Sequence, residues 1–332
     1  MSALDDLLKK HRKRVIDREE AAFRELLVVY GELQRDLRRQ YAEIQKMIVE
    51  AAAAGEEISQ TWLLKSRRLE SLLAQIQQQV IRFGGRVRGV VMREQSAAIA
   101  IAVDQTSETL RLILPNQPGL GSLLPTRAIE NGVGMMGNGS PMTAYFEKTF
   151  APAVAEALKT EIIKAVATGT DFRTIARRLV KAGDITRTRA LAMARTEVNR
   201  VRRATTLQIY QDNSDVISGW EWVASKSPRT CPVCLALDGS MHKLAEPFPQ
   251  HINCRCTMIP VIIGVERPDR ILGIDWFDDE GDEVKEMILG KDAFAAHDRG
   301  EVSLKDFVGY ATSKEFGRRV YTKKLADVLP GK

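Results

Sequence analysis

Residues Thr230 to Thr257 read TCPVCLALDGSMHKLAEPFPQHINCRCT, and the rest of the chain is organised around this stretch. It holds all four cysteines of the 332-residue chain, Cys231, Cys234, Cys254 and Cys256, and two of its four histidines, His242 and His251. Cys231-Pro-Val-Cys234 is a CxxC knuckle, a tight turn that aims two sulfurs at one centre. After a 16-residue loop, His251-Ile-Asn-Cys254-Arg-Cys256 supplies three more candidate ligands. Zinc takes four soft or borderline donors in a tetrahedron, commonly two from a knuckle and two from a second turn. The expectation is one structural zinc per chain, held by four of Cys231, Cys234, His251, Cys254 and Cys256. Cys231 and Cys234 are the firm pair. The remainder is either His251 with one cysteine of the second turn, or both Cys254 and Cys256.

The flanks of the stretch read as strands. Val216 to Val223 is rich in β-branched and aromatic residues, with Trp220 and Trp222 on one strand face, and Thr257 to Ile263 reads as a closing strand. Residues 214–263 thus form a small α+β zinc-stapled module, too small to fold by burial alone. The stretch 143–213 reads as a compact helical domain. Phe146, Phe150, Val154, Leu158 and Ile162 form one apolar stripe, Gly169 stops it, Thr170-Asp171 caps a short helix, and Gly183-Asp184 closes that helix before another starts at Thr186. On that last helix Leu191, Ala194, Val198 and Val201 share a face, with Arg195, Arg200, Arg202 and Arg203 over the others.

Further upstream the pattern lengthens. Phe23, Leu26, Tyr30, Leu33, Leu37, Tyr41, Ile44 and Ile48 recur at three- and four-residue steps, as do Trp62, Leu69, Leu72, Ile76, Val80, Phe83, Val87 and Val90 after a stop near Gly55. Two such stripes bury each other most simply as a long antiparallel helical hairpin over residues 1–114, with a bend expected at Gly84-Gly85 and residues 1–18 a short helix or an arm. Residues 115–142, with four prolines and six glycines, read as a linker. Residues 264–332 read as an acidic, then basic C-terminal tail with short helices. The fold class expected is mainly α.

The net charge of +6 is unevenly spread. Residues 157–205 carry 12 Lys/Arg against 4 Asp/Glu, and residues 265–306 carry 6 against 13. The first of these is a candidate contact for DNA phosphates or an acidic partner through Arg195, Arg200, Arg202 and Arg203. No signal pattern and no apolar run of membrane-spanning length occur, so a soluble chain in a reducing compartment, without a membrane partner, is expected. There, clustered cysteines favour a metal over disulfides. No HxE or HExxH accompanies the cysteines, so a catalytic zinc is not expected and the chain is read as a non-enzyme. The alternatives are a regulatory nucleic-acid-binding zinc protein and a zinc-dependent nuclease.

Arg195-Thr196-Glu197, Trp220 and Trp222, Thr230-Cys231-Pro-x-Cys234-x-x-Leu237-Asp238-Gly239 and His251-x-x-Cys254-Arg255-Cys256 together resemble the phage head morphogenesis family, the minor head proteins typified by phage Mu protein F and its counterpart in SPP1. The resemblance covers about residues 150–262. It implies a minor capsid protein of a tailed phage, with a structural role in head assembly and in genome packaging or ejection. It further implies the portal protein as partner, with major capsid or scaffolding protein and non-specifically bound packaged DNA as further contacts. The location implied is the virion, in the head interior or at the portal vertex, after assembly in the host cytoplasm.

Overall fold

The computed structural model describes residues 3–57, 62, 65–115, 132–154, 156–157, 160, 172–249, 251–313 and 317–329; at 41, 45, 172–187, 189–190, 313 and 317 it describes backbone only. The architecture is mainly helical, as the apolar periodicity predicts. The long helices are α1 (Ala3–Ala53), α2 (Arg67–Ile113) and α4 (Phe172–Asp212). A short α3 (Met142–Tyr145) runs into a π-helical turn, Phe146–Phe150. Two compact units are formed, one from Met1–Glu19, Glu94–Gly139 and Arg195–Lys332, the other from Glu20–Arg93 and Ser140–Ala194.

In the second unit, α1 and α2 pair antiparallel. Leu26, Tyr30, Leu33, Leu37, Ile44 and Ile48 are buried on α1, and Leu69, Leu72, Ile76, Val80, Phe83, Val87 and Val90 on α2. The register is visible in the flanking ion pairs Glu25–Arg93, Glu32–Arg86 and Glu50–Arg68, whose numbers each add to 118. The expected bend at Gly84-Gly85 does not end the helix. Gly84 is instead a point of close approach: a Cβ there would lie 2.9 Å from Cδ1 of Phe146. Phe83 stacks on Phe150 at 6.4 Å in the same aromatic group.

Two other expected breaks are corrected. The first turns of α1 are not a separate arm but the start of a single helix, and Leu4 is buried against Val223 and Ile259. The helix α4 runs unbroken through Gly183-Asp184, because one glycine inside a long helix costs only about 1 kcal/mol relative to alanine. Leu158, Ile162, Gly169, Thr170 and Asp171, and most of the Pro/Gly-rich stretch, lie outside the described residues.

The first unit is built on a three-stranded antiparallel sheet of order β2-β1-β3: β1 (Ile217–Val223), β2 (Met241–Lys243) and β3 (Thr257–Ile262). Trp220 pairs with His242 on one side and Pro260 on the other. Gly219 in β1 is obligatory there, since a Cβ would lie 2.4 Å from the carbonyl oxygen of His242. The helix α5 (Pro232–Leu237) sits between β1 and β2 in sequence. Beyond β3 come α6 (Gly273–Asp279), α7 (Asp282–Leu289), α8 (Lys291–Asp298), a 3₁₀ turn Leu304–Phe307, a hairpin of β4 (Val308–Ser313) and β5 (Gly317–Thr322), and α9 (Leu325–Val328). These residues are not an appended tail. Phe277, Leu304 and Val320 are buried in the same core as Trp220, Trp222, Leu235 and Met258. That shared core positions the cysteines.

Candidate metal centre

Pro232 opens α5 at its first position, where its fixed φ is pre-organised and its missing N–H is not needed. Cys231 is therefore the N-cap, in extended conformation, and Cys234 lies on the first turn, its N–H donating to the Cys231 carbonyl at 3.1 Å. Ahead of the knuckle, Thr230 is buried, and its hydroxyl accepts from the Ser227 N–H at 3.0 Å. The CPxC stretch is thus a helix start whose two sulfurs project to one side.

The second turn is shaped by Asn253, one of two non-glycine residues with positive φ (65°) among the described residues. Asparagine tolerates that left-handed conformation better than most residues. Its N–H donates to the Thr196 hydroxyl at 3.2 Å, and its side-chain oxygen accepts from Arg195 at 2.7 Å. Both partners come from α4. The buried carboxylate of Glu19 on α1 accepts from Arg195 (3.1 Å), Arg255 (2.9 Å) and Asn199 (2.9 Å). Arg202 donates to the Cys256 carbonyl at 3.2 Å.

These supports bring all five predicted donors together. The Cys231 and His251 atoms lie 3.7 Å apart, Cys234 and His251 2.8 Å, and Cys234 and Cys254 3.8 Å. Cys231, Cys234 and His251 form one mutually close group, and Cys234, Cys254 and Cys256 a second that shares Cys234. All four cysteines are free thiols. Zn–S bonds of about 2.3 Å in a tetrahedron place sulfurs about 3.8 Å apart, and mixed S/N edges are about 3.5 Å. The Cys234–Cys254 and Cys231–His251 spacings are of that order. The 2.8 Å Cys234–His251 contact is a hydrogen-bond length and would lengthen around an ion.

The electrostatics is that of a cluster that expects positive charge. A hydrogen bond from Cys234 and the nearby His251 pull the Cys231 thiol down to about 5. Burial pushes Cys254 upward, but hydrogen bonds to Cys234 and Cys256 and the charge of His251 bring it well below the usual thiol range. Burial raises Cys234 and Cys256. His251, though buried, is pushed well up by the Cys254 charge and its bonds to Cys231 and Cys254. His242 takes no part: it stacks on Trp220 at 4.0 Å and contacts Ser240 and Glu246.

The Leu237-Asp238-Gly239 step has its own work. The Asp238 carboxylate accepts from the Ala224 N–H at 2.8 Å and from Arg270 at 3.0 Å, locking α5 to the end of β1. Arg270 also donates to Glu221 at 2.9 Å, so one buried arginine serves two buried carboxylates. Gly239 has φ 86° and passes within reach of Leu272, where a Cβ would lie 2.9 Å from Cδ2.

Residues 156–259 match the family model described as Phage Mu protein F like protein. The match covers about a third of the chain, includes every donor of the centre, and is consistent with a phage head morphogenesis family. No curated protein and no solved structure matches the chain. No helix among the described residues is long and apolar enough to cross a membrane.

Of the four arginines that the sequence offered to DNA phosphates, Arg202 and Arg203 are buried and Arg195 and Arg200 are partly buried. Arg202 and Arg203 are 5% and 1% exposed. Arg195 is tied to Glu19 and Asn253, and Arg200 pairs with the buried Glu197 at 2.7 Å and donates to the Met135 carbonyl at 2.7 Å. Burial raises the Glu197 carboxyl, and Arg200 partly offsets that. The Arg-Thr-Glu step is therefore scaffolding for the second ligand turn and for the loop near Met135. Sequence reasoning missed Glu19 as the hub beneath that turn. It lies more than 200 residues from Arg255 in a uniformly charged stretch, and nothing local marks it.

Proposed function

We propose that this chain is a minor head protein of a tailed phage that associates with the portal vertex, and that its cysteine cluster holds one structural zinc. The observation that carries the reading is the meeting of CPxC, LDG and HxxCRC in one supported centre, within the segment that matches the Mu F-like family. Cys231, Cys234 and Cys254, with either His251 or Cys256, would hold the ion, and when bound it acts as a cross-link and not as a Lewis acid for turnover. What the chain itself does is position the donors. Proline starts the knuckle helix, Asn253 turns the second ligand segment, and Arg195, Thr196 and Glu19 brace that turn. The module then serves as a docking unit in the head, with portal protein as its partner and packaged DNA nearby.

The test is co-expression with a portal protein from the same genome, followed by affinity purification of the portal ring. The chain should co-purify with the portal ring and show no hydrolytic turnover. A free protein with metal-dependent nuclease activity would sink the reading.

A further inference from the structure

The first unit encloses a cavity of about 180 Å³, and none of the five candidate metal donors lines it. Its walls come from the first turns of α1, from α2 and α4, from the end of β1, the start of β3 and α6. A cavity of about 150 Å³ already holds benzene, so this one takes a body of roughly ten non-hydrogen atoms. The apolar part of the wall includes Leu8, Val15, Ile16, Ile271 and Trp276. The charged part has Lys9, Arg12, Arg202, Lys226 and Arg255 against a single carboxylate, Asp5. Three basic groups of the wall have carboxylates of their own: Arg255 pairs with Glu19 at 2.9 Å, Lys226 with Asp238 at 3.7 Å, and His11 with Glu108 at 3.1 Å. Arg202 is buried and donates to Asn199, Gln105, Thr257 and the Cys256 carbonyl, with the Glu19 charge near it. Arg12 differs. Its Nη1 donates to the carbonyls of Ser225 and Lys226, the latter at 3.2 Å. Among the described residues no carboxylate pairs with it, and its Nε and Nη2 make no hydrogen bond. The backbone is strained at the same point. Lys226 has φ 43°, in the left-handed region that residues other than glycine rarely enter. Such outliers persist only where their surroundings fix them, and they concentrate at active sites and ligand clamps.

We propose that this cavity binds a small organic monoanion, a carboxylate on an aryl or short alkyl body, with Arg12 as the group that takes the carboxylate. A guanidinium offers a planar fork of donors that matches a carboxylate. Arg12 spends one nitrogen on the 225–226 loop and keeps the rest of that fork for a ligand. The lack of a carboxylate partner at this one half-buried guanidinium favours a single negative charge over a dianion. Leu8, Val15, Ile16, Ile271 and Trp276 favour an apolar body over a fully hydrated anion such as phosphate. Lys226 closes the charged part of the wall: its Nζ donates to the Ile271 carbonyl, and its own carbonyl accepts from Arg12. The site is independent of the metal reading and of the place of the chain in the head.

The test titrates the full-length protein with para-fluorophenylacetate, followed by fluorine NMR. The acid should bind about tenfold or more tightly than its neutral isostere para-fluorophenylacetamide, as expected when a charge-assisted contact is present in one and absent in the other. Inorganic phosphate at the same concentration should not displace it. Arg12→Gln should bring the affinity for the acid down to that for the amide. Val15→Trp fills the cavity and should abolish binding of both probes while circular dichroism and the thermal midpoint match the parent. Equal binding of acid and amide by the parent protein, or no binding of the acid, overturns the proposal. So does displacement by phosphate, which marks a bare anion site, and so does undiminished binding in a folded Val15→Trp variant, which puts the probe elsewhere. The comparison of acid with amide is made on the unaltered protein, so it decides the matter whether or not the variants fold.

Discussion

Arg195 donates to the side-chain oxygen of Asn253 at 2.7 Å, which joins α4 to the turn between His251 and Cys254. The same asparagine holds φ at 65° and gives its N–H to Thr196. A single residue thus fixes the geometry of the second ligand pair. Asn253→Ala removes the side-chain bond and places an unsuited residue in the left-handed region, for an expected loss of about 1–3 kcal/mol. Asn253→Gly should recover the backbone part only. Urea unfolding followed by the fluorescence of the buried Trp220 and Trp222 reads both.

Gly84 supports a close approach of a different kind, since a Cβ at that position would lie 2.9 Å from Cδ1 of Phe146. Alanine favours a helix over glycine by about 1 kcal/mol, but overpacking a tight contact costs about 1–3 kcal/mol. Gly84→Ala should therefore be neutral to destabilising, and Gly84→Ala combined with Phe146→Leu should recover stability. A Gly84→Ala variant clearly more stable than the parent would contradict this contact.

His11 gives a pH dependence. Burial lowers its proton affinity and outweighs the Glu108 contact at 3.1 Å, while Lys10 and Arg14 also oppose the charge. The unfolded chain binds a proton near its ordinary pKa of about 6.5, whereas the folded chain does so only at lower pH. Stability from this group is present above that value and is lost as pH falls through the folded pKa. Glu108, itself lowered by Lys10 and His11, acts in the same direction at lower pH. His11→Gln should flatten the stability profile just below about pH 6.5 in chemical unfolding curves.

Metal content offers a separate check. Elemental analysis should find about one zinc per chain. Cys231→Ser should release it and loosen the sheet of β1–β3, while the paired helices Leu26–Ile48 and Leu69–Val90 persist by circular dichroism. Comparing His251→Ala with Cys256→Ser identifies the fourth ligand, since only one of them should lose the ion. A zinc content near zero with four titratable thiols would remove the site.

Much of this was legible in the sequence. The stripes of α1 and α2 were readable because each element buries one apolar face. So were β1 and β3, through the two tryptophans, and the donors, through their clustering. What escaped is what does not follow a hydrophobic period. Between Thr196 and Tyr210, α4 is buried on nearly every side, yet Thr196, Glu197, Asn199, Arg202, Arg203, Thr205 and Thr206 read as solvent-facing. Their burial is tolerated because most of them bond to backbone or to one another, and that depends on residues distant in the chain. The hairpin β4–β5 escaped because its strands are short and partly exposed, with Tyr310 and Tyr321 outward and Val320 inside. For Arg202 and Arg203 a count of charges did not tell an inward guanidinium from an outward one.

The central claim is a place in the head. Electron cryo-microscopy of procapsids produced by the genome that encodes this chain, with and without its gene, measures it directly. The account predicts density for a few copies beside the portal ring at a single vertex, absent when the gene is deleted. Particles that lack the chain altogether, or that carry it evenly over the shell, would contradict it.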